Sequence, residues 1–377
     1  MEDGTATVAL SSDTHSTEIP VPVERDARLR VNWLGAVPPW LTVEAAATVL
    51  ESAEISTGPE TSSAGIQRPA EAPHVVHVGR PDLDRLDALR SAAPGSALVL
   101  DLTVDGDAAL RRGQANQAET ADLILVGSLA ELRELRRRFP ALAPRTALLC
   151  PPVDLATYAT EGELLERRNR DIRRFRSFHR LAGPTVLFAG PFTEAGGLDL
   201  ALDAVQTIHK HIENVRLTAV PVGRVDRRYL DRCERKALAL GHHGVIEWTP
   251  QPSELPLWYA TATVVCLPFR ESVASEPARL AAAAGKPVVG TEVEALLEYV
   301  VEGKTGHLVP VGNVHALVAA LEALLEDHEG AARLGAKARQ AIEVAHSPAA
   351  AARQLLELWK GAVARSYART ASTNGHP

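Results

Sequence analysis

Twice along this chain, short β-branched runs alternate with segments of helical periodicity, and that rhythm restricts the fold to parallel sheets covered by helices. In the first half the strand candidates are "RLRVNWLG", "HVVHVGR", "SALVLDLTV", "DLILVGS" and "TALLC", separated by helical stretches such as "TVEAAATVLESA" and "LAELRELRRRF". In the second half "PTVLFAG", "VRLTAVPVG", "GVIEWTP", "TVVCLPF", "KPVVGT" and "GHLVPV" repeat the pattern around "LDLALDAVQTIHKHI", "RYLDRCERKALALG", "SEPARLAAAAG" and "NVHALVAALEALLEDH". Two doubly wound halves follow, with the cleft between them as the default site. Two amphipathic segments, "EGAARLGAKARQAIEVAH" and "PAAAARQLLELWKGAVARSYA", close the second half and are expected to pack back on the first. The stretch "AEISTGPETSSAGIQRPAEAP" (53–73) breaks the rhythm and reads as a surface loop or a disordered insertion. Residues 161–180 hold seven arginines and no strand character, which makes them an Arg-rich connection between the halves.

At 377 residues and 46% hydrophobic content, the chain suffices for two medium cores. Its net charge of −7 argues against a nucleic-acid partner, which favours a basic surface. Cys150, Cys233 and Cys266 are far apart in sequence and form no Cys/His cluster, so neither a disulfide framework nor a zinc site is signalled and no cofactor is expected. No apolar run reaches the roughly 18 residues of a membrane span, and residues 1–28 lack the layout of a signal peptide. A cytoplasmic protein is the expectation. Residues 1–28 and 367–377 are polar and read as disordered tails.

A dinucleotide-binding enzyme needs a G-x-G-x-x-G turn after its first strand, and none is present; a P-loop is also missing. What stands instead is "PFTEAGGLD", at a strand's carboxyl end and running into a helix. Free backbone N–H groups and the helix dipole make such a turn an anion site, with Gly190, Gly196 and Gly197 allowing close approach. "GTEVEALLEYV" likewise leaves a strand and starts a helix, bringing Glu298 to the same edge, where a carboxylate accepts hydrogen bonds from sugar hydroxyls. An ordinary βα turn and a solvated helix carboxylate are the simpler alternatives for these two segments. Asp101, at the end of the "LVLDL" strand, either faces the cleft or caps the turn after it.

Over about 280 residues these segments resemble the retaining glycosyltransferases of the group 1 class, whose GT-B architecture sets two Rossmann-like domains face to face. "VVHVG", "ADLILVGSLAELREL" and "PPVDLATY" resemble that family's acceptor domain and the crossing out of it. "PTVLFAGPFTEAGGLDLALDAV", "GVIEWTPQPSELPLWYATATVVCLP" and "AAAAGKPVVGTEVEALLEYVVEGKTGHLVPVGNVHALVAALEALL" resemble its donor domain. The resemblance implies an α/β GT-B fold with an acceptor domain over 29–160, the linker over 161–180, a donor domain over 181–345 and a returning helix over 346–366. It implies a nucleotide-sugar donor and a saccharide, lipid or small-molecule acceptor. Gly190, Phe192 and Thr193 would line the donor phosphates, Thr249, Pro250 and Gln251 the base, and Glu294, Ala295, Leu296 and Glu298 the sugar. Gly35 and Ala36 stand where the acceptor domain has a glycine pair, and Asp101 stands near the family's catalytic His.

The departures bear on activity. The family's two diphosphate-gripping cations fall on Pro191 and Gly196, and its paired glutamates fall on Ser272 and Leu280. Each charge-assisted hydrogen bond contributes about 1.5–3 kcal/mol, so losing two weakens donor binding by about a hundredfold or more. Glu271 is the acid left near the reacting carbon, while Glu276 sits where a helix begins behind Ser275. Three readings are open from sequence: a retaining glycosyltransferase, a non-catalytic GT-B binding or scaffold protein, and a transferase whose donor carries no nucleotide. The arginine run is either a solvated helix face or a peripheral contact with an acidic membrane surface.

Overall fold

The computed structural model describes residues 29–34, 53–58, 74–79, 86–103, 115–158, 162–179, 181, 183–239, 246–248 and 254–374. Twelve strands among them form two six-stranded parallel sheets. The first holds β1 (Leu29–Leu34), β2 (Ala53–Gly58), β3 (Val75–Gly79), β4 (Ala97–Asp101), β5 (Leu123–Val126) and β6 (Thr146–Leu148), in the order β2-β1-β3-β4-β5-β6. The second holds β7 (Thr185–Phe192), β8 (Arg216–Val225), β9 (Ile246–Trp248), β10 (Val264–Leu267), β11 (Val288–Thr291) and β12 (Gly306–Val309), in the order β12-β11-β10-β7-β8-β9. The described helices are α1 (Leu86–Ala92), α2 (Ala115–Ala118), α3 (Leu129–Arg138), α4 (Gly162–Phe178), α5 (Leu198–Ile208), α6 (Arg227–Ala239), α7 (Leu255–Thr261), α8 (Glu276–Ala283), α9 (Glu294–Leu297), α10 (Val314–Glu326), α11 (His328–Ala345) and α12 (Pro348–Asn374).

All eight residues of β7 are buried, as a parallel strand covered on both faces requires. One face of the second sheet packs Phe188, Leu198, Val205, Leu217 and Leu321; the other packs Leu187, Trp258, Tyr259, Phe269 and Leu296. Strand order reverses between β7 and β10 in this sheet and between β1 and β3 in the first. Crevices at such switch points, outside the carboxyl ends of the strands, are where ligands bind in open α/β sheets.

Three segments differ from their sequence reading. Ala53–Gly58, expected in a loop, is a strand paired in parallel with β1 from Leu29↔Ala53 to Leu34↔Gly58. It is the edge of the sheet, where backbone pairing suffices and a polar sequence is tolerated. The Arg-rich connection is largely the helix α4, whose Phe175 packs edge-on against Trp258, with ring centroids 4.5 Å apart. The polar tail expected from 367 is helical to Asn374, because the last turns of α12 are tied to the first sheet. Arg365 Nε donates to the Asp122 carbonyl at 3.1 Å, Ser366 Oγ to the Ser96 carbonyl at 3.2 Å, and Arg369 pairs with the Asp122 carboxylate, which Arg90 also holds at 2.6 Å. The tail at 1–28 lies outside the described residues.

Farther up α12, Trp359 enters the core beneath β1 and β3. Its Nε1–H donates to His77 Nδ1 at 3.1 Å, while Trp33 stacks on the same imidazole at 3.7 Å. A Trp359→Phe variant leaves His77 Nδ1 buried without its donor. It should lose about 1–3 kcal/mol of stability, read as a lower melting temperature with unchanged secondary structure.

Candidate active site at the carboxyl edge of the second sheet

The loops that follow β7, β10 and β11 are knitted into one surface. After β7 the chain makes a tight turn over Glu194–Gly196, capped by Thr193, whose Oγ1 accepts from the Gly196 N–H at 3.3 Å. Arg270, just past β10, donates its backbone N–H to the Ala195 carbonyl at 2.8 Å and its Nη1 to the Glu194 carbonyl at 2.8 Å. Its guanidinium also grips Asp199 in the first turn of α5 with two bonds of 2.8 and 2.7 Å. Tyr229 OH donates to the same carboxylate at 2.6 Å. Burial works to raise the Asp199 carboxyl, but the bonds from Arg270 and Tyr229 outweigh it and hold the group below the usual carboxylate range. From the β11 side, Thr291 Oγ1 donates to the Phe269 carbonyl, and the Ala295 N–H donates to Ser272 Oγ at 2.9 Å.

The glycines serve this knitting. A Cβ on Gly196 would stand 2.0 Å from the Pro191 carbonyl, and one on Gly197, whose φ is +72°, would stand 2.1 Å from the Pro268 carbonyl. At Gly190 the obstacle is the Phe269 ring, 2.9 Å away. Gly196 therefore has no room for the lysine the family pattern expects. The absent cation is a consequence of how closely this loop folds on itself. Gly196→Ala should cost about 1–3 kcal/mol by overpacking, visible as a drop in melting temperature.

Other expected site residues are placed differently from one another. Phe192 is buried in the core beneath the turn, its ring 6.0 Å from Phe188, and does not line the crevice. Ala295 and Leu296 are also buried, so only their backbone borders the edge. Glu271 is exposed on the loop between β10 and α8, next to Ser272, and Glu276 starts α8. Asp101 is buried and its oxygens are taken: His77 Nε2 donates to one at 3.1 Å, and Thr103 N and Oγ1 donate to the other at 2.9 and 2.6 Å. Burial pulls its carboxyl upward, yet His77 and Thr103 prevail and keep it low. Its placement is that of a strand-end anchor, since the apolar pair of Trp33 and Trp359 encloses its His77 partner. Gly35, Ala36, Thr249, Pro250 and Gln251 lie outside the described residues.

Glu294 and Glu298 reach across to the other half. Ser128 caps α3 by accepting from the Glu131 N–H at 3.2 Å, and Glu131 reaches back to the Gly127 N–H at 3.0 Å. The next free donor of that helix start, the Leu129 N–H, points at Glu298 Oε2 at 3.4 Å, and Cys150 Sγ donates to Oε1 at 3.3 Å. Arg133 on α3 pairs with Glu294. Burial raises the Glu298 carboxyl above its ordinary 4.5, and burial together with the nearby Glu298 charge does the same for Glu131. A raised carboxyl stabilises the fold most below its ordinary value, and that contribution is lost as pH rises through the elevated one. Glu298→Gln should therefore flatten the decline in melting temperature above pH 4.5. Arg279, on α8, completes this junction by donating to the Pro151 carbonyl.

Sequence reasoning did not single out Arg270 or Arg279. Arg270 stood in view beside Glu271 as a cation at a strand end, but its partner Asp199 is 71 residues away.

Two facing parallel sheets with switch-point loops of this kind define the GT-B class. The family model described as "Glycosyl transferases group 1" matches residues 183–327, and the two parallel sheets have the GT-B fold of its solved relatives. It is 29% identical over 301 residues to a D-inositol 3-phosphate glycosyltransferase of Corynebacterium glutamicum, covering 75% of this chain and 68% of that protein. A GDP-mannose-dependent alpha-(1-6)-phosphatidylinositol monomannoside mannosyltransferase of Mycolicibacterium smegmatis is 30% identical over 219 residues, or 55% of each chain. Two further D-inositol 3-phosphate glycosyltransferases are matched over 57% and 51% of their lengths, so the chain spans little more than half of several curated relatives. Among solved structures, Anabaena HepE in complex with UDP and glucose superposes with a TM-score of 0.64 at 16% identity, covering 88% of this chain and 99% of that one. No helix among the described residues is long and apolar enough to cross a membrane.

Proposed function

We propose that this protein transfers a glycosyl unit, with retention, from a nucleotide-sugar donor seated at the carboxyl edge of the second sheet. The acceptor is a hydroxyl of an inositol-phosphate-type molecule lying against the first sheet. The observation that carries the reading is the single surface formed by the loops after β7, β10 and β11 at the strand-order switch point, facing the start of α3. Backbone N–H groups of the Thr193–Gly197 turn other than that of Gly196, which Thr193 already holds, meet the diphosphate there, and the start of α5 adds its dipole. Arg270 does not replace the missing cations as a free charge, since Asp199 neutralises it; it stiffens the turn instead. Fixed backbone dipoles and positioning then supply leaving-group stabilisation. Glu271 is the acid nearest the reacting carbon. The donor class and the acceptor class follow the names of the relatives, and the membrane contact once expected of the arginine run is left to acceptors that carry lipid.

Calorimetry with UDP and GDP should show binding of at least one. Product analysis by mass spectrometry, with the corresponding sugar nucleotides and inositol 3-phosphate, should show transfer that Glu271→Gln lowers at least about tenfold. Glu276→Gln should act mainly on stability. Absence of both binding and transfer would sink the enzyme reading and leave a GT-B binding protein.

A further inference from the structure

On the amino-terminal edge of the second sheet, away from the loops above, the protein forms an open, groove-like cavity of about 630 Å³. Its walls are the turns leading into β10 and β11, the carboxyl ends of α7 and α8, Arg176 of α4, and one face of α11 from His328 to Glu343. Positive charge prevails in it. Arg176 donates to the Thr261 and Gly183 carbonyls at 3.0 and 3.1 Å, and Arg339 donates to the Ala283 carbonyl, so both guanidiniums cap helix or turn carbonyls. The one carboxylate in the lining, Glu343, is held by Arg339 Nε at 2.5 Å.

Lys286 is the group left over. Among the described residues its ammonium has no hydrogen-bond acceptor and no carboxylate partner. Burial, with the like charges of Arg168 and Arg176 adding to it, pushes the ammonium down to about 8. A part-buried cation between guanidiniums lacks a counter-charge, and the cavity beside it is where one fits.

We propose that this cavity binds a phosphomonoester through Lys286, flanked by Arg176 and Arg339. Lined also by Ala262, Ala331 and Ala332, it has room for more than a bare phosphate, which favours a small phosphorylated metabolite over the free anion. The site is distinct from the donor edge. Helix α8 joins the two, starting at Glu276 near Glu271 and ending at Ala283 beside the cavity, about 12 Å for eight residues.

The test is calorimetry on the full chain with inorganic phosphate and with ribose 5-phosphate. Both should bind, ribose 5-phosphate more tightly. Lys286→Met should weaken each at least about tenfold, while Lys286→Arg should stay within a few fold. Arg168 and Arg176 act on Lys286 as like charges, Arg176, His328, Arg339 and Glu343 line the cavity with it, and binding should weaken as pH rises through 8 while the ammonium is lost. Should Lys286→Met fail to fold, the wild-type protein answers instead: either probe should protect Lys286 from acetylation, read by peptide mass spectrometry. Affinity unmoved by Lys286→Met, absence of binding at millimolar probe, or unprotected Lys286 would overturn the proposal.

Discussion

The Val153 N–H donates to the His346 carbonyl at 3.2 Å, and the geometry of the cleft depends on that contact. The chain leaves the first sheet after β6 and returns to it at the start of α12, and this bond joins the two crossings. Around it, Arg279 reaches the Pro151 carbonyl, Arg339 lies 3.5 Å from the Leu155 carbonyl, and the Tyr299 and His346 rings sit 5.3 Å apart. Burial and the Arg279 charge lower the His346 imidazole to about 4, so it stays neutral near pH 7 and adds no repulsion to the junction. Two covalent connections pinned at one place leave the halves little freedom except to open or close about it. The contacts of Glu298 with Leu129 and of Glu294 with Arg133 lie on the side that such a motion would change.

At the carboxyl edge of the second sheet, the proposed donor site, positive charge is tied up in ion pairs. The guanidinium nearest the turn is Arg270, and Asp199 holds it bidentately with Tyr229 behind. A pair of this geometry gives rigidity more than it gives field, because its two charges cancel at a distance. Rigidity is what backbone donors need to act as a preorganised anion site, since flexible N–H groups would lose in ordering what they gain in bonding. The close contacts of Gly196 and Gly197 with neighbouring carbonyls serve the same end.

Much of the fold was legible because parallel sheets announce themselves. Buried strands such as "TVLFAGPF" and "VVCL" are unbroken apolar runs, and the helices between them carry a clear period. The misses have physical causes. Strand β2 is a polar edge whose pairing comes from backbone, α4 hides its packing residue Phe175 among arginines, and the end of α12 is fixed by Asp122 and Ser96, more than 240 residues earlier. Within the site, the strand-end loops were readable from glycines and turn signals. The partners of Arg270 and Glu298 were not, because each is set by the three-dimensional neighbourhood and neither by local spacing. Phe192 and Leu296 looked like lining residues because they neighbour the loops in sequence, yet Phe192 ends a strand covered on both faces and Leu296 sits on the buried side of helix α9.

In the proposed function one surface, made by the loops after β7, β10 and β11, receives the donor. Hydrogen–deuterium exchange on the full chain, with and without a saturating nucleoside diphosphate that calorimetry shows to bind, tests it directly. Slowed exchange confined to residues 190–198, 268–276 and 291–298 is the predicted result. Protection that leaves these segments unchanged and appears elsewhere in the chain would contradict it.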